Sequence, residues 1–198
     1  MSAEALASKV GERVSCICYF GGDPSPQMPH AIKTSELALE RAQDRILRIC
    51  WESNGYMREG LLDRASLLSF KSGGVVKFDL KAYSDELNQA LCGVSNKPTL
   101  KNFERVGERF FHDRPDVPLL TASTLLVPGY VDEKEVEGLA SFIASVDVNI
   151  PYTLLAFHPH YVMNDLSTTR RKHALACLKA AEQAGLRNVR LGNVWLLS

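Results

Sequence analysis

No apolar run in this 198-residue chain is long enough to cross a bilayer, and its charges cancel, with 23 Lys and Arg against 23 Asp and Glu. The first absence argues against a membrane-spanning segment. The second leaves no basic stripe of the kind that holds nucleic acid. Residues 1–14 carry Glu4, Lys9, Glu12 and Arg13, unlike the basic start and apolar stretch of a secretory signal. Cysteine is scarce and scattered: Cys16, Cys18, Cys50, Cys92 and Cys177 are odd in number, which argues against a disulfide framework and points to a cytoplasmic protein. Low-complexity tracts, credible linkers and internal repeats are also missing. With 45% hydrophobic residues the chain can bury one sizeable core, so a single domain over residues 1–198 is expected.

What is present is an alternation of helical and strand patterns. Residues 2–12 carry Ala and Val at helical spacing, and 14–20 form a short run rich in strand formers. Helices are then expected over 29–43, 57–70, 99–111, 132–145 and 168–184, and strands over 45–51, 75–80, 119–127, 153–157 and 189–191. Pro29 at a helix entry, the Gly73-Gly74 stop and the acids after Asp132 support these bounds. Connections of this length require parallel strands with the helices packed outside them.

Such units build either an open doubly wound sheet or part of a (β/α) barrel. In a barrel the chemistry sits on loops at the C-terminal ends of many strands. Five strands here end in polar or turn-forming segments: Gly21-Gly22-Asp23, Glu52-Ser53-Asn54-Gly55, Asp79-Leu80-Lys81, Val127-Pro128-Gly129-Tyr130 and Phe157-His158-Pro159-His160. That recurrence favours the barrel, with its mouth at these endings.

Each ending also has a plainer reading. Gly21-Gly22-Asp23-Pro24 is a competent turn, and Asn54-Gly55 is a strong turn dipeptide. Asp79 and Lys81, two apart on a strand, share a face and can simply pair, although a charge pair on a buried strand is costly unless used. His158 and His160 read either as structural histidines or as two of the ligands of a metal site that lacks a third at diagnostic spacing. Cys16 and Cys18 share a strand face, where burial of small thiols is the ordinary explanation. Arg170, Arg171 and Lys172 read as a solvated helix face.

Taken together, Gly21-Gly22-Asp23-Pro24, Glu52-Ser53-Asn54-Gly55-Tyr56, Phe78-Asp79-Leu80-Lys81, Val127-Pro128-Gly129-Tyr130-Val131-Asp132 and Phe157-His158-Pro159 resemble the radical SAM family, in order along nearly the whole chain. Within that family the chain resembles the activating-enzyme branch related to pyruvate formate-lyase activase, and especially proteins of the AmmeMemoRadiSam type, whose ending is similar to residues 184–194. The resemblance implies a partial (β/α) barrel, S-adenosylmethionine as cofactor and a 4Fe-4S cluster in the full-length member. It also implies roles by position. Gly21, Gly22 and Asp23 stand at a Gly-Gly-Glu segment whose backbone receives the cofactor's amino group, with Asp in place of Glu. Glu52 and Asn54 stand near its methionyl and ribose parts. Asp79 and Lys81 match an Asp-x-Lys strand, where Lys81 suits the methionyl carboxylate as a point charge with three donors. His158 matches a histidine at the ribose region. No catalytic residue of this chain is assigned by the resemblance.

One departure is large. The family's Cys-x3-Cys-x2-Cys loop, whose thiolates hold the cluster, occurs nowhere in the sequence. By the resemblance, the chain begins near the helix that follows that loop, so an N-terminally truncated domain lacking its first barrel strand is expected. His160 and Val162 stand where the family has Asp and Lys. Three readings remain open on the sequence. The chain is the S-adenosylmethionine-binding portion of a radical SAM enzyme, inactive alone, acting on a protein or small-molecule substrate or with a partner that supplies the missing strand. Alternatively it is a non-catalytic cofactor-binding or regulatory module, or a metal-dependent (β/α)-barrel hydrolase or isomerase using Glu52, Asp79, His158 and His160.

Overall fold

In a computed structural model, which describes residues 1–43, 45–114 and 116–198, the strand faces follow from the alternation of side chains along β1, Cys16–Tyr19, and β2, Arg48–Ser53. Ile49 and Trp51 are buried, while Arg48 is exposed and Cys50 and Glu52 are half-buried, as a strand covered by helices on one face requires. The covering helices are α2, Met28–Ala42, and α3, Glu59–Ser72. The Tyr19 hydroxyl donates to Ala31 O of α2 at 3.1 Å, and Trp51 Nε1–H donates to Ala65 O of α3 at 3.0 Å. The two rings stack with centroids 4.5 Å apart, so the polar tip of each large side chain is satisfied while its body fills the layer.

The remaining elements, after α1 at Ala3–Ala7, are β3, Val76–Asp79; α4, Asp85–Cys92; α5, Lys97–Val106; β4, Leu120–Leu126; α6, Glu133–Val146; β5, Tyr152–Ala156; α7, Arg171–Gln183; and β6, Val189–Gly192. Among the described residues six strands form one sheet in the order β1-β2-β3-β4-β5-β6. The β1–β2, β2–β3, β4–β5 and β5–β6 ladders are parallel, with Cys18 opposite Cys50 and Glu52 opposite Lys77. Chain-order neighbours joined by helices are the arrangement of an α/β protein of the partial (β/α) barrel kind.

The chain divides into two compact units. The first, Met1–Phe78 with Pro98–Thr121, is centred on Ile32, Ile49, Trp51, Leu62 and Phe78, with Phe103 edge-on to Phe78 at 5.2 Å. Each such side chain stabilises the fold by about 1.5–3 kcal/mol through removal from water. Gly74 is required by close approach: a Cβ there would stand 1.8 Å from Ile49 O. Outside the core, Asp63 of α3 accepts two hydrogen bonds from Arg105 of α5, at 2.8 and 2.7 Å. The second unit, Asp79–Lys97 with Ala122–Ser198, buries Leu80, Leu126, Leu139, Ile143, Tyr152 and Leu154. Asp132 caps α6 by accepting from Lys134 N and Glu135 N at 3.0 Å, and Glu135 Oε2 accepts from Tyr83 N and Ser84 N ahead of α4.

The sequence pattern and the structure differ in instructive places. Helix α4 has no counterpart in the expected elements, because it is only two turns long and its short apolar set, Leu87, Ala90 and Leu91, is too brief to stand out, while its buried position is the polar Asn88. α7 begins at Arg171 rather than 168, because Thr169 is diverted to a clamp: its hydroxyl donates to Leu126 O at 2.8 Å and accepts from Phe157 N at 2.7 Å. Cys16 and Cys18 are exposed, not buried, since their strand face is opposite the helices. No helix among the described residues is long and apolar enough to cross a membrane.

Candidate functional site

The loop after β1 owes its shape to two consecutive left-handed glycines, Gly21 at φ +79° and Gly22 at φ +66°. Packing does not require them, because a Cβ at either position would meet no atom within 4 Å. They leave an open stretch of backbone in a cleft of about 390 Å³ lined by Cys18, Phe20, Gly21, Gly22, Asp23 and His30. A backbone that turns sharply beside open space is what close approach to a small polar ligand needs.

Asp23 locks this loop to the end of β2. Its carboxylate accepts from Ser25 N at 2.8 Å, from the Ser53 hydroxyl at 3.1 and 3.0 Å, and from Asn54 N at 2.5 Å. Ser53 Oγ also accepts from Gly55 N at 3.0 Å. The side chain expected beside the cofactor is therefore engaged within the protein, and the backbone of Gly21 and Gly22 is the part of the segment left open. Asn54 shares the loop but turns its side chain to its own neighbour, accepting from Tyr56 N at 2.7 Å. Glu52 pairs with Lys77 at 3.0 Å across the β2–β3 register, with both side chains partly exposed.

Two residues that the sequence reading missed hold the next stretch of loop. Thr99 Oγ1 donates to Asn54 O at 2.9 Å, and Asn102 Nδ2 donates to Gly55 O at 2.8 Å and Met57 O at 2.9 Å. Both are buried on α5, whose other buried positions include Phe103 and Val106. Polar residues on the apolar face of an amphipathic helix are the signal that marks them, since buried polar groups must find partners.

In the second unit Asp79 ends β3, and its carboxylate pairs with Lys81 two residues on. Each side chain is more than a third exposed, so the pair by itself adds at most about 1 kcal/mol. Asp79 Oδ1 is different: that atom is buried and has no hydrogen-bond partner among the described residues. With Oδ2 paired to Lys81, the remaining oxygen is an acceptor whose hydrogen bond is still to be made. The Leu80 backbone between them is fixed on both sides, donating from N to Ser123 O at 2.8 Å and accepting from Thr124 Oγ1 at 2.7 Å. His158 and His160 are exposed beyond β5, and among the described residues His158 makes no hydrogen bond with Asp79 or Lys81.

Among the described residues no three His, Cys, Asp or Glu side chains are grouped so that they could hold a metal ion. The expected constellation of Glu52, Asp79, His158 and His160 is not such a centre, and the metal-barrel alternative gains no support. The same holds for an iron–sulfur cluster, because this chain's own cysteines provide no set of three ligands for it.

The family profile of the Radical SAM superfamily matches residues 1–143. The chain belongs to the radical SAM superfamily. A Methanocaldococcus jannaschii protein, described as a candidate glycyl-radical enzyme activating enzyme, is 26% identical to this radical SAM chain over 161 residues, covering 79% of the chain. The chain spans 57% of that relative's length. Among solved structures, a domain of pyruvate-formate lyase-activating enzyme from Bacteroides vulgatus superposes with a TM-score of 0.70 at 22% identity, covering 89% of the chain and 98% of the domain. Streptococcus suis SuiB bound to S-adenosylmethionine superposes with a TM-score of 0.69 at 12% identity, covering 98% of the chain and 44% of SuiB. At these identities the structural likeness establishes the radical SAM fold. Family membership implies S-adenosylmethionine and a 4Fe-4S cluster as the cofactors of the enzyme class.

Proposed function

We propose that this chain is the S-adenosylmethionine-binding portion of a radical SAM activating enzyme. The observation that carries the reading is the open Gly21-Gly22 backbone, left-handed without any packing need for glycine. Supporting it is the buried Oδ1 of Asp79, which has no hydrogen-bond partner among the described residues, beside Lys81. Gly21 and Gly22 receive the amino group of the cofactor through the backbone, and Asp23 keeps that loop in shape through Ser53 and Asn54. Lys81 takes the methionyl carboxylate, with Asp79 orienting its ammonium and offering Oδ1 to a cofactor donor. Asn54 and Glu52 serve the methionyl and ribose parts, and His158 the ribose region.

When bound, S-adenosylmethionine supplies a sulfonium-activated 5′-deoxyadenosyl group for hydrogen abstraction from a protein or small-molecule substrate. The electron for that reaction belongs to a cluster for which these residues offer no site, so no redox step is derived for this chain alone. We assign the cluster and the strand beside β1 to a further segment or a partner protein. A regulatory S-adenosylmethionine-binding module is the second reading, favoured by the lack of cluster ligands among the described residues.

Hydrogen–deuterium exchange with and without S-adenosylmethionine tests the assignment. Slower exchange is expected in peptides covering residues 20–24 and 79–81. Binding that leaves both segments unprotected would place the cofactor elsewhere and overturn it.

A further inference from the structure

Three of the five cysteines meet on one strand face. Cys16 and Cys18 of β1 lie two residues apart and therefore share a face, and Cys50 of β2 is the registered neighbour of Cys18. The Cys16 thiol stands 3.5 Å from Cys50 Sγ, sulfur to sulfur. All three are free thiols, with Cys16 and Cys18 exposed and Cys50 half-buried. They do not fill the core, which is made on the opposite face by Ile49 and Trp51 against α2 and α3. β1 is also the first strand of the sheet order, so no further strand among the described residues covers its outer edge. The three sulfurs are not grouped as a metal site. What their geometry does allow is bond formation between them.

We propose that Cys16, Cys18 and Cys50 form a thiol-oxidation site, in which hydrogen peroxide closes a disulfide between Cys50 and β1. Registered positions on neighbouring strands stand about 4.8 Å apart. That separation falls inside the Cα range of about 4.4–6.8 Å that a disulfide spans, so the register of Cys18 with Cys50 meets the backbone-distance requirement for a bond between them. Cys16, in contact with Cys50 Sγ, is the second thiol able to capture it. The chemistry balances in two steps. A thiolate sulfur attacks a peroxide oxygen, the O–O bond breaks, and a sulfenic acid and hydroxide are formed. The neighbouring thiol then displaces the sulfenic oxygen, giving the disulfide and water, the hydroxide having taken up a proton. Two thiols lose two electrons, peroxide gains them, and two waters result.

Partial loss of hydration against the strand face and the neighbouring Cys50 push the Cys16 thiol up to about 11, and the same partial desolvation raises Cys18, although both residues remain exposed. Closure is therefore slow at neutral pH and accelerates as the thiolate fraction grows, about tenfold from pH 7 to pH 8. The site answers sustained oxidation rather than a brief pulse.

The test exposes the folded chain to hydrogen peroxide, alkylates remaining thiols under denaturing conditions and maps disulfides by peptide mass spectrometry. The expected product links the Cys50 peptide to the peptide carrying Cys16 and Cys18, with Cys92 and Cys177 recovered alkylated. A folded Cys50→Ser variant is expected to give no such link, and the wild-type rate is expected to rise about tenfold from pH 7 to pH 8. Recovery of Cys16, Cys18 and Cys50 all alkylated after prolonged exposure would overturn the proposal. So would oxidation of the three to separate sulfinic acids without a link.

Discussion

The carboxylate of Asp23 accepts the backbone N–H of Asn54 at 2.5 Å, so the loop after β1 and the end of β2 are held as one piece. Ser53 completes the joint by donating to both Asp23 oxygens. A charged acceptor with several donors is worth more than a neutral hydrogen bond. Asp23→Ala is expected to lower the unfolding free energy by about 2 kcal/mol, read as a shift of the urea midpoint. An unchanged midpoint would show that the joint is dispensable.

Hydrogen bonds from Arg105 and the charge of Arg109 bring the Asp63 carboxyl down to about 2. The ordinary aspartate value is about 3.9, so between these limits the unfolded chain binds more protons than the folded one, and stability falls with falling pH. Asp63 therefore contributes fully above about pH 4 and loses its contribution as pH falls towards about 2. Thermal unfolding of Asp63→Asn is expected to show a flatter pH dependence across that window, with lower stability at neutral pH. A slope equal to that of the wild type would contradict the pairing.

The turn that presents Lys81 rests on a buried relay. The Tyr152 hydroxyl donates to Thr124 Oγ1 at 2.8 Å, which donates to Leu80 O at 2.7 Å. Thr124→Val leaves two buried polar groups without partners, whereas Tyr152→Phe removes only a donor and leaves the Thr124 bond to Leu80 intact. Losses of about 2 and about 1 kcal/mol respectively are expected in chemical denaturation. The reverse order would show that the relay does not carry the turn.

The strands were legible because runs such as 119–127 combine apolar and β-branched residues and end in turn residues, and the α/β class followed from their alternation with helices. The Gly-Gly loop was legible for the same local reason. The partners of the loop were not. Asp23 meets Ser53 and Asn54, and Asn102 meets Gly55 and Met57, across separations that no local pattern encodes. The strand face of Cys16 and Cys18 was likewise ambiguous, since period-two alternation tells which residues share a face but not which face the helices cover. Glu52 shows the same limit: its charge suggested a ligand contact, and register with Lys77 supplies the partner found in the fold.

The most direct test of the central claim is isothermal titration of S-adenosylmethionine into the purified chain, its Gly22→Ala variant and its Lys81→Ala variant. Gly22 stands at φ +66°, where an alanine costs about 1 kcal/mol and puts a methyl group into open space over the loop. The account predicts saturable binding by the wild type, weakened at least about tenfold in each variant, a difference of about 1.4 kcal/mol or more. Equal affinity in all three folded proteins, or no binding by the folded wild type, would contradict it.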